Sequence, residues 1–294
     1  MYWFDLDNTP HVPLFTPLFK ELKKHGYEYI ITARDFAQTK ELLELNKIKY
    51  LLIGKHAGKN KINKIINLFF RAHQLSQTIK NRKIDLAISH GSRTQLITAK
   101  KRNIKSLLMM DYEYTESKIF NYLADKILVP VYIPDSRLKN AGFNLNKIIR
   151  YNGFKEELYL NDYTPDLTLR SKLNVTEQEI LVVFRPPSMV GNYHDPKSEE
   201  LLIGGLEYFS ANPKVKCIIV NRTKVEKDFI VKKLSITKNI CFLDKPVNGL
   251  DLLYAADIAV SGGGTMNRES ALLGTETYSI FTGRRPYLDE YLQE

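Results

Sequence analysis

Apolar strand-like runs alternate with amphipathic helix-like runs along nearly the whole chain, and few folds accept that rhythm. Residues 1–6 read as a strand, 15–25 as a helix closed by Gly26, 27–33 as a strand and 36–45 as a helix. Residues 50–53, 84–89, 105–110 and 126–129 continue the strands, with helices expected over 62–80, 94–102 and 114–124. The rhythm breaks between Ile148 and Pro165, around Tyr151-Asn152-Gly153-Phe154-Lys155-Glu156. It resumes with strands at 180–184, 215–220, 240–242, 257–260 and 277–281, and helices at 198–211, 226–234, 250–255 and 267–273. The expected architecture is α/β, with two doubly wound Rossmann-like domains, residues 1–155 and 156–294, facing across a cleft. In open parallel sheets ligands sit beyond the carboxyl ends of the strands, so the residues just after each strand are the ones to read for chemistry.

The run Ala256-Asp257-Ile258-Ala259-Val260-Ser261-Gly262-Gly263-Gly264-Thr265-Met266-Asn267-Arg268-Glu269 joins a strand end, a glycine turn and a helix start. Glycines 262–264 let the backbone turn tightly and let a phosphate approach the amides at the positive end of the following helix. Glu269 then lies roughly 8 Å along that helix at 1.5 Å per residue, where a carboxylate can reach a sugar hydroxyl. A nucleoside diphosphate fits this pattern. A glycine-rich helix start without a ligand is the plainer alternative.

The other strand ends divide by chemistry. In the first domain they carry Asp5, Asp7, Asn8 and His11, then His90, Gly91, Ser92 and Arg93, then Asp111, Tyr112 and Glu113. In the second they carry Arg185, Arg222 and the glycine turn, while His194 lies on a loop after Arg185. Acids and histidines stand in one domain, arginines and a phosphate turn in the other.

Composition excludes several classes. A hydrophobic fraction of 44% and a charged fraction of 26% are those of a globular chain. No apolar run nears the eighteen-residue scale of a membrane span, and Met1 leads straight into Trp3-Phe4-Asp5, so neither a spanning helix nor a signal peptide is expected and the cytoplasm is the expected compartment. Cys217 and Cys241 sit in or beside apolar runs and read as buried thiols, too few for a metal cluster. The net charge of +10 is not accompanied by zinc-finger spacing or an RNA-binding signature, and lysine runs such as Lys20-Glu21-Leu22-Lys23-Lys24 read as solvated faces, so nucleic acid is not an expected partner. Residues 61–71 mix lysines with an apolar face, which leaves open peripheral contact with an anionic membrane, at its inner face, besides ordinary packing on the sheet.

Five motifs in order then carry a resemblance over essentially the whole chain. Asp5-Leu6-Asp7-Asn8-Thr9-Pro10-His11-Val12, Ile88-Ser89-His90-Gly91-Ser92, Arg150-Tyr151-Asn152-Gly153, Phe184-Arg185-Pro186 and residues 262–271 resemble the family called domain of unknown function 354. That family stands with the GT-B glycosyltransferases and the UDP-N-acetylglucosamine 2-epimerases. The resemblance implies that Gly262, Gly263, Gly264 and Thr265 take the phosphates of a nucleotide, Glu269 its ribose, and Arg185 a place near the phosphates. Arg222 and Asn267 complete the candidate nucleotide site. Ser92 departs from the pattern, because epimerases carry a carboxylate just after the His-Gly pair, while Glu113 loosely matches an epimerase glutamate.

A serine hydroxyl is a poor proton acceptor without a partner base. Glycosyl transfer needs one base for the acceptor hydroxyl and stabilisation of the departing diphosphate. The leading expectation is therefore a metal-independent glycosyltransferase using a UDP-linked sugar as substrate, without a separate cofactor, with His11, Asp7, His90 and Glu113 as candidates for the base. The resemblance implies a glycan or glycolipid acceptor in surface polysaccharide assembly. It also implies a terminal helix beyond the last residues, so that the C-terminal part reads as shortened. Three alternatives stand beside it. One is an epimerase and another a non-catalytic sugar-nucleotide binding protein. The third is a phosphatase of the haloacid dehalogenase kind, with Asp5 as nucleophile, Asp7 as acid/base and Ser89 in the second motif; it would need an acidic pair where Ser261-Gly262-Gly263-Gly264 stands.

Overall fold

The computed structural model describes residues 1–55, 61–187, 195–235, 237–243 and 247–294. The chain divides into two compact units, Met1–Asn161 and Asp162–Glu294. The sequence placed the boundary after Lys155, inside a break that in fact contains a strand and a short helix of the first unit.

In the first unit the elements run β1 (Tyr2–Leu6), α1 (His11–Lys24), β2 (Tyr29–Asp35), α2 (Thr39–Leu45), β3 (Leu51–Lys55), α3 (Lys61–Thr78), β4 (Leu86–His90) and α4 (Arg93–Lys101). They continue as β5 (Lys105–Met109), α5 (Ser117–Leu123), β6 (Lys126–Pro130), α6 (Asp135–Asn140), β7 (Ile148–Tyr151) and α7 (Glu157–Leu160). The seven strands form one parallel sheet in the order β3-β2-β1-β4-β5-β6-β7. Strand order therefore reverses between β1 and β4, and the ends of those strands open a crevice where such sheets take ligands.

Alternation along β1 builds both faces of the sheet. Phe4 and Leu6 pack with Val12, Phe15 and Phe19 of α1. Trp3 points the other way, into a cluster with Leu75, Ile79 and Ala99. Burying each such side chain contributes roughly 1.5–3 kcal/mol.

The second unit runs α8 (Leu169–Lys172), β8 (Ile180–Arg185), α9 (Pro196–Ser210), β9 (Val215–Ile219), α10 (Lys224–Lys233) and β10 (Ile240–Phe242). It ends with α11 (Gly249–Ala255), β11 (Ile258–Ser261), α12 (Gly264–Leu272), β12 (Glu276–Ser279) and α13 (Tyr287–Tyr291). Its parallel sheet has the order β10-β9-β8-β11-β12, so the reversal falls between β8 and β11. Val182 and Phe184 of β8 pack on Leu202 and Leu206 of α9, while Leu181 and Val183 face Leu252 and Met266. Cys217 is buried and Cys241 half-buried, both as free thiols. Burial raises the Cys217 thiol far above its ordinary range, which makes it inert.

Two differences from the sequence reading bear on function. Helix α1 starts at His11 rather than Phe15, because Pro10 already holds a helical φ of −64° and Pro13 falls in the first turn, where a missing N–H costs nothing. Helix α12 starts at Gly264 rather than Asn267, so the last glycine of the turn is its first residue.

Candidate functional site

At the β1/β4 reversal of the first unit a carboxylate is buried. Asp5 is fully buried and accepts from Thr32 Oγ1 at 2.6 Å, Arg71 Nη2 at 2.7 Å, Arg71 Nη1 at 2.9 Å and Ser92 Oγ at 2.5 Å. Arg71 comes from α3, is itself buried, and also bonds the Ile53 carbonyl at 2.9 Å and the Thr94 hydroxyl. Gly54, at φ +77°, makes its passage possible, since a Cβ there would lie 2.9 Å from Arg71 Cδ. Four donors fill the lone pairs of Asp5, so it is a structural anchor and not the nucleophile that the phosphatase reading requires.

Asp7 shares the same guanidinium, with Oδ1 at 2.9 Å from Arg71 Nη1. Burial pushes its carboxyl above the ordinary range although Arg71 pulls it down, and the Asp5 charge adds to the push. Ser92 donates to Asp5 and accepts from the Gln95 amide at 3.2 Å as the N-cap of α4. Both uses of its hydroxyl are internal.

His11 and His90 stand side by side, their ring centroids 5.2 Å apart. His11 is almost fully buried and its Nδ1 lies 3.1 Å from the Asp7 amide. An amide can only donate, so Nδ1 is the accepting nitrogen and the neutral ring carries its proton on Nε2. Burial first, then the neighbouring His90 and Lys155, depress its pKa well below 6.5. His11 is thereby a neutral hydrogen-bond donor rather than the loop base that the sequence suggested.

His90 is half-buried, and its Nε2 lies 3.1 Å from Asp111 Oδ1. Lys155 Nζ bonds the other Asp111 oxygen and Glu156 Oε1, the latter at 2.8 Å. Facing the Asp111 oxygen, the neutral His90 ring donates from Nε2, which leaves Nδ1 as its accepting nitrogen. Glu113, the remaining candidate, is fully buried.

The second unit brings the arginines to the glycine turn. Arg185 ends β8 directly beside Ser261, its register partner on β11. Burial and the like charge of Arg222 lower the Arg185 pKa to about 10, with Glu269 opposing. An arginine remains charged at that value. Its Nε is buried without a hydrogen-bond partner among the described residues. Arg222 reaches the turn as well, since a Cβ on Gly263 would sit 3.2 Å from its Nη2.

The three glycines serve different ends, and none of them has a left-handed φ. A Cβ on Gly262 would lie 2.7 Å from Pro187 Cα, and one on Gly264 2.9 Å from Arg268 Nη1. The Gly262 amide donates to the Arg185 carbonyl at 3.3 Å and the Gly263 amide to Ser261 Oγ at 3.0 Å. These two amides are turned inward. Gly264 and Thr265 open α12, where amides lack intrahelical acceptors and no side chain among the described residues caps the end. Glu269 follows Thr265 by one turn on the same helical face and is half-buried. Asn267 is 6% exposed, and both its side-chain polar atoms are buried without a hydrogen-bond partner among the described residues. His194 lies outside the described residues. Among the described residues no group of three or more His, Cys, Asp or Glu is placed to hold a metal ion.

The whole chain, residues 1–294, matches the family described as protein of unknown function, DUF354. An uncharacterized protein of Methanocaldococcus jannaschii, MJ0665, is 31% identical over 99% of this chain and 85% of its own length. The chain belongs to the DUF354 family.

Among solved structures, the UDP-GlcNAc 2-epimerase of Neisseria meningitidis, bound to UDP-GlcNAc, superposes with a TM-score of 0.77 at 14% identity, over 99% of this chain and 85% of that one. The Anabaena protein Alr3699/HepE, in complex with UDP and glucose, gives a TM-score of 0.63 at 16% identity, over 94% and 79%. At such identities the likeness is one of fold, and this DUF354 chain has the fold of the GT-B-like sugar-nucleotide enzymes.

Arg71, Lys155 and Glu156 were not singled out by sequence for this DUF354 chain, yet they hold the charges of the first cluster. A signal for Arg71 existed: it stands four residues before Leu75 on the buried stripe of an amphipathic helix, where an unpaired charge is costly. Lys155 had no such mark, because its partner Asp111 is 44 residues away.

Proposed function

We propose that the protein binds a nucleoside-diphosphate sugar, UDP-linked, through the β8/β11 end of the second unit and transfers the sugar to a hydroxyl acceptor. The observation that carries this reading is Arg185: half-buried, its buried Nε without a hydrogen-bond partner among the described residues, and next to a second guanidinium at a helix N-terminus that no described side chain caps. A diphosphate supplies the missing negative charge and acceptor oxygens. Gly264 and Thr265 would give the amide contacts, Arg185 and Arg222 the guanidinium contacts, and Glu269 the bond to a ribose hydroxyl. The UDP-sugar bound in the Neisseria epimerase and the UDP with glucose in the Anabaena protein support a uridine donor.

Transfer requires a base that takes the proton of the acceptor hydroxyl while its oxygen attacks the anomeric carbon and the diphosphate departs with the bonding electrons. We assign that base to His90, held by Asp111, with neutral His11 beside it as a donor. The departing charge falls on the arginines and the helix end. What favours transfer over epimerisation is Ser92, whose hydroxyl is committed to Asp5 and to the α4 amide at the place where epimerases keep a carboxylate. The similarity of fold to the Neisseria epimerase supports epimerisation as the second reading.

The two separate by product. Incubated with UDP-GlcNAc and a panel of glycan and glycolipid acceptors, with EDTA present, the protein is expected to release UDP, and His90→Asn is expected to bind UDP as wild type does but to release none from the donor. Appearance of the C2 epimer without acceptor would reverse the choice.

A further inference from the structure

The first unit carries a second feature that its candidate site does not use. Helix α3 packs unevenly: Arg71, Ala72, Leu75 and Ser76 are buried, whereas no residue from 63 to 70 is. That forward half nevertheless carries Ile65, Ile66, Phe69 and Phe70, each 58–60% exposed. At about 100° per residue the four span an arc of roughly 140°, one continuous apolar face. Along the rest of the described sequence the exposed large apolar residues stand singly, except for the adjacent Leu51 and Leu52.

The positive charge of the chain collects in the same stretch of sequence. Residues 45–84 hold ten lysines and arginines and not one aspartate or glutamate, as many positive charges as the net +10 of the entire sequence, so the remainder is balanced. Reading the lysine runs as solvated faces alone therefore leaves this stretch unexplained. Arg71 is spent on Asp5; exposed Lys55 ends β3 on the side where α3 begins, whereas the exposed Lys47 and Lys49 before β3 and Lys80, Arg82 and Lys83 after α3 stand toward the other end of the sheet. Lys64 flanks the apolar face.

We infer that the α3 face docks the protein on the surface of a bilayer rich in anionic lipid. An apolar helical face flanked by cations lies in the headgroup boundary, the Ile and Phe side chains entering the acyl layer while the lysines meet lipid phosphates. Nucleic acid would engage the cations alone and leave four large apolar side chains in water. No helix of the described residues is long and apolar enough to cross a membrane, so the attachment is peripheral. The start of α3 follows β3 and therefore lies at the same end of the parallel sheet as His11 and His90, where proximity to a lipid-borne acceptor would serve transfer. The docking itself rests on α3 and its charges, independently of the proposed reaction.

Sedimentation of the full chain with phosphatidylcholine vesicles, with and without phosphatidylglycerol, tests this. Binding to the anionic vesicles should exceed binding to neutral ones by at least about tenfold, fall with salt, and be lost in Ile66→Asp and in Phe69→Asp at unchanged melting temperature. A Phe69→Trp variant gives a reading that needs no destabilising change: Trp3 is the only native tryptophan and is fully buried, so a blue shift on adding anionic vesicles would come from position 69. No sedimentation, equal binding to neutral vesicles, an unshifted spectrum, or variants that bind as wild type would overturn the inference. So would a wild-type dimer that Ile66→Asp makes monomeric while vesicles bind neither, which would make the face an interface between copies.

Discussion

Ser92 Oγ donates to Asp5 Oδ2 at 2.5 Å, a bond between residues 87 positions apart that ties the N-cap of α4 to the end of β1. The bond suits a serine to position 92. A carboxylate at this position would sit against a buried carboxylate whose one strong cation, Arg71, is already shared with Asp7.

Ser92→Ala should cost about 1–3 kcal/mol, since it leaves a buried Asp5 lone pair unsatisfied and removes the cap. Ser92→Asp, the substitution that would imitate an epimerase, should cost more than Ser92→Ala, because it adds a like charge in the interior. Urea unfolding of the two variants checks the order. An aspartate variant as stable as wild type with C2-epimerising activity would contradict the account of this site.

Asp5→Asn should destabilise by about 3–5 kcal/mol, the usual effect of removing one partner of a buried pair. Nucleotide affinity of the folded fraction should stay unchanged. The phosphatase reading would instead give a stable protein without turnover.

How much of this was legible in the sequence depends on how local each feature is. The strand and helix rhythm, the glycine turn and the strand-end positions of Arg185, His90 and Asp111 rest on neighbouring residues and could be read. Strand β7 could not, because Ile148–Tyr151 is a four-residue edge strand beside Asn152 and Gly153. The start of α1 was hidden by Pro10 and Pro13, which read as a turn but are tolerated at a helix start. The Arg71–Asp5 pair and the Lys155–Asp111 pair join residues 66 and 44 positions apart, and only the topology of the sheet brings them together.

Neutral, buried His11 makes stability pH-dependent in a defined direction. Its folded pKa lies below the unfolded value of 6.5, so its stabilising effect is complete above pH 6.5 and is lost as pH falls toward the depressed folded value. Denaturant midpoints measured from pH 8 down to pH 5 should fall, and His11→Gln should flatten the part of the decline just below pH 6.5. An identical slope in both proteins would show that His11 is not held neutral.

Gly262→Ala should destabilise the second unit by about 1–3 kcal/mol, because the new methyl meets the Pro187 backbone and neither side can withdraw. Gly249→Ala, with nothing within 4 Å of the added carbon, is the control and should be neutral or slightly stabilising. Equal melting temperatures for the two variants would remove the packing argument for the first glycine.

The central claim is that the second unit is an anion site for a nucleoside diphosphate, and calorimetric titration with UDP in the presence of EDTA tests it most directly. The account predicts one site per chain, weakened by about 1.5–3 kcal/mol in Arg185→Ala and by about 1–3 kcal/mol in Glu269→Ala, the scale of lost charged hydrogen bonds. Absence of binding by the folded protein, or UDP affinity that survives both substitutions, would contradict it.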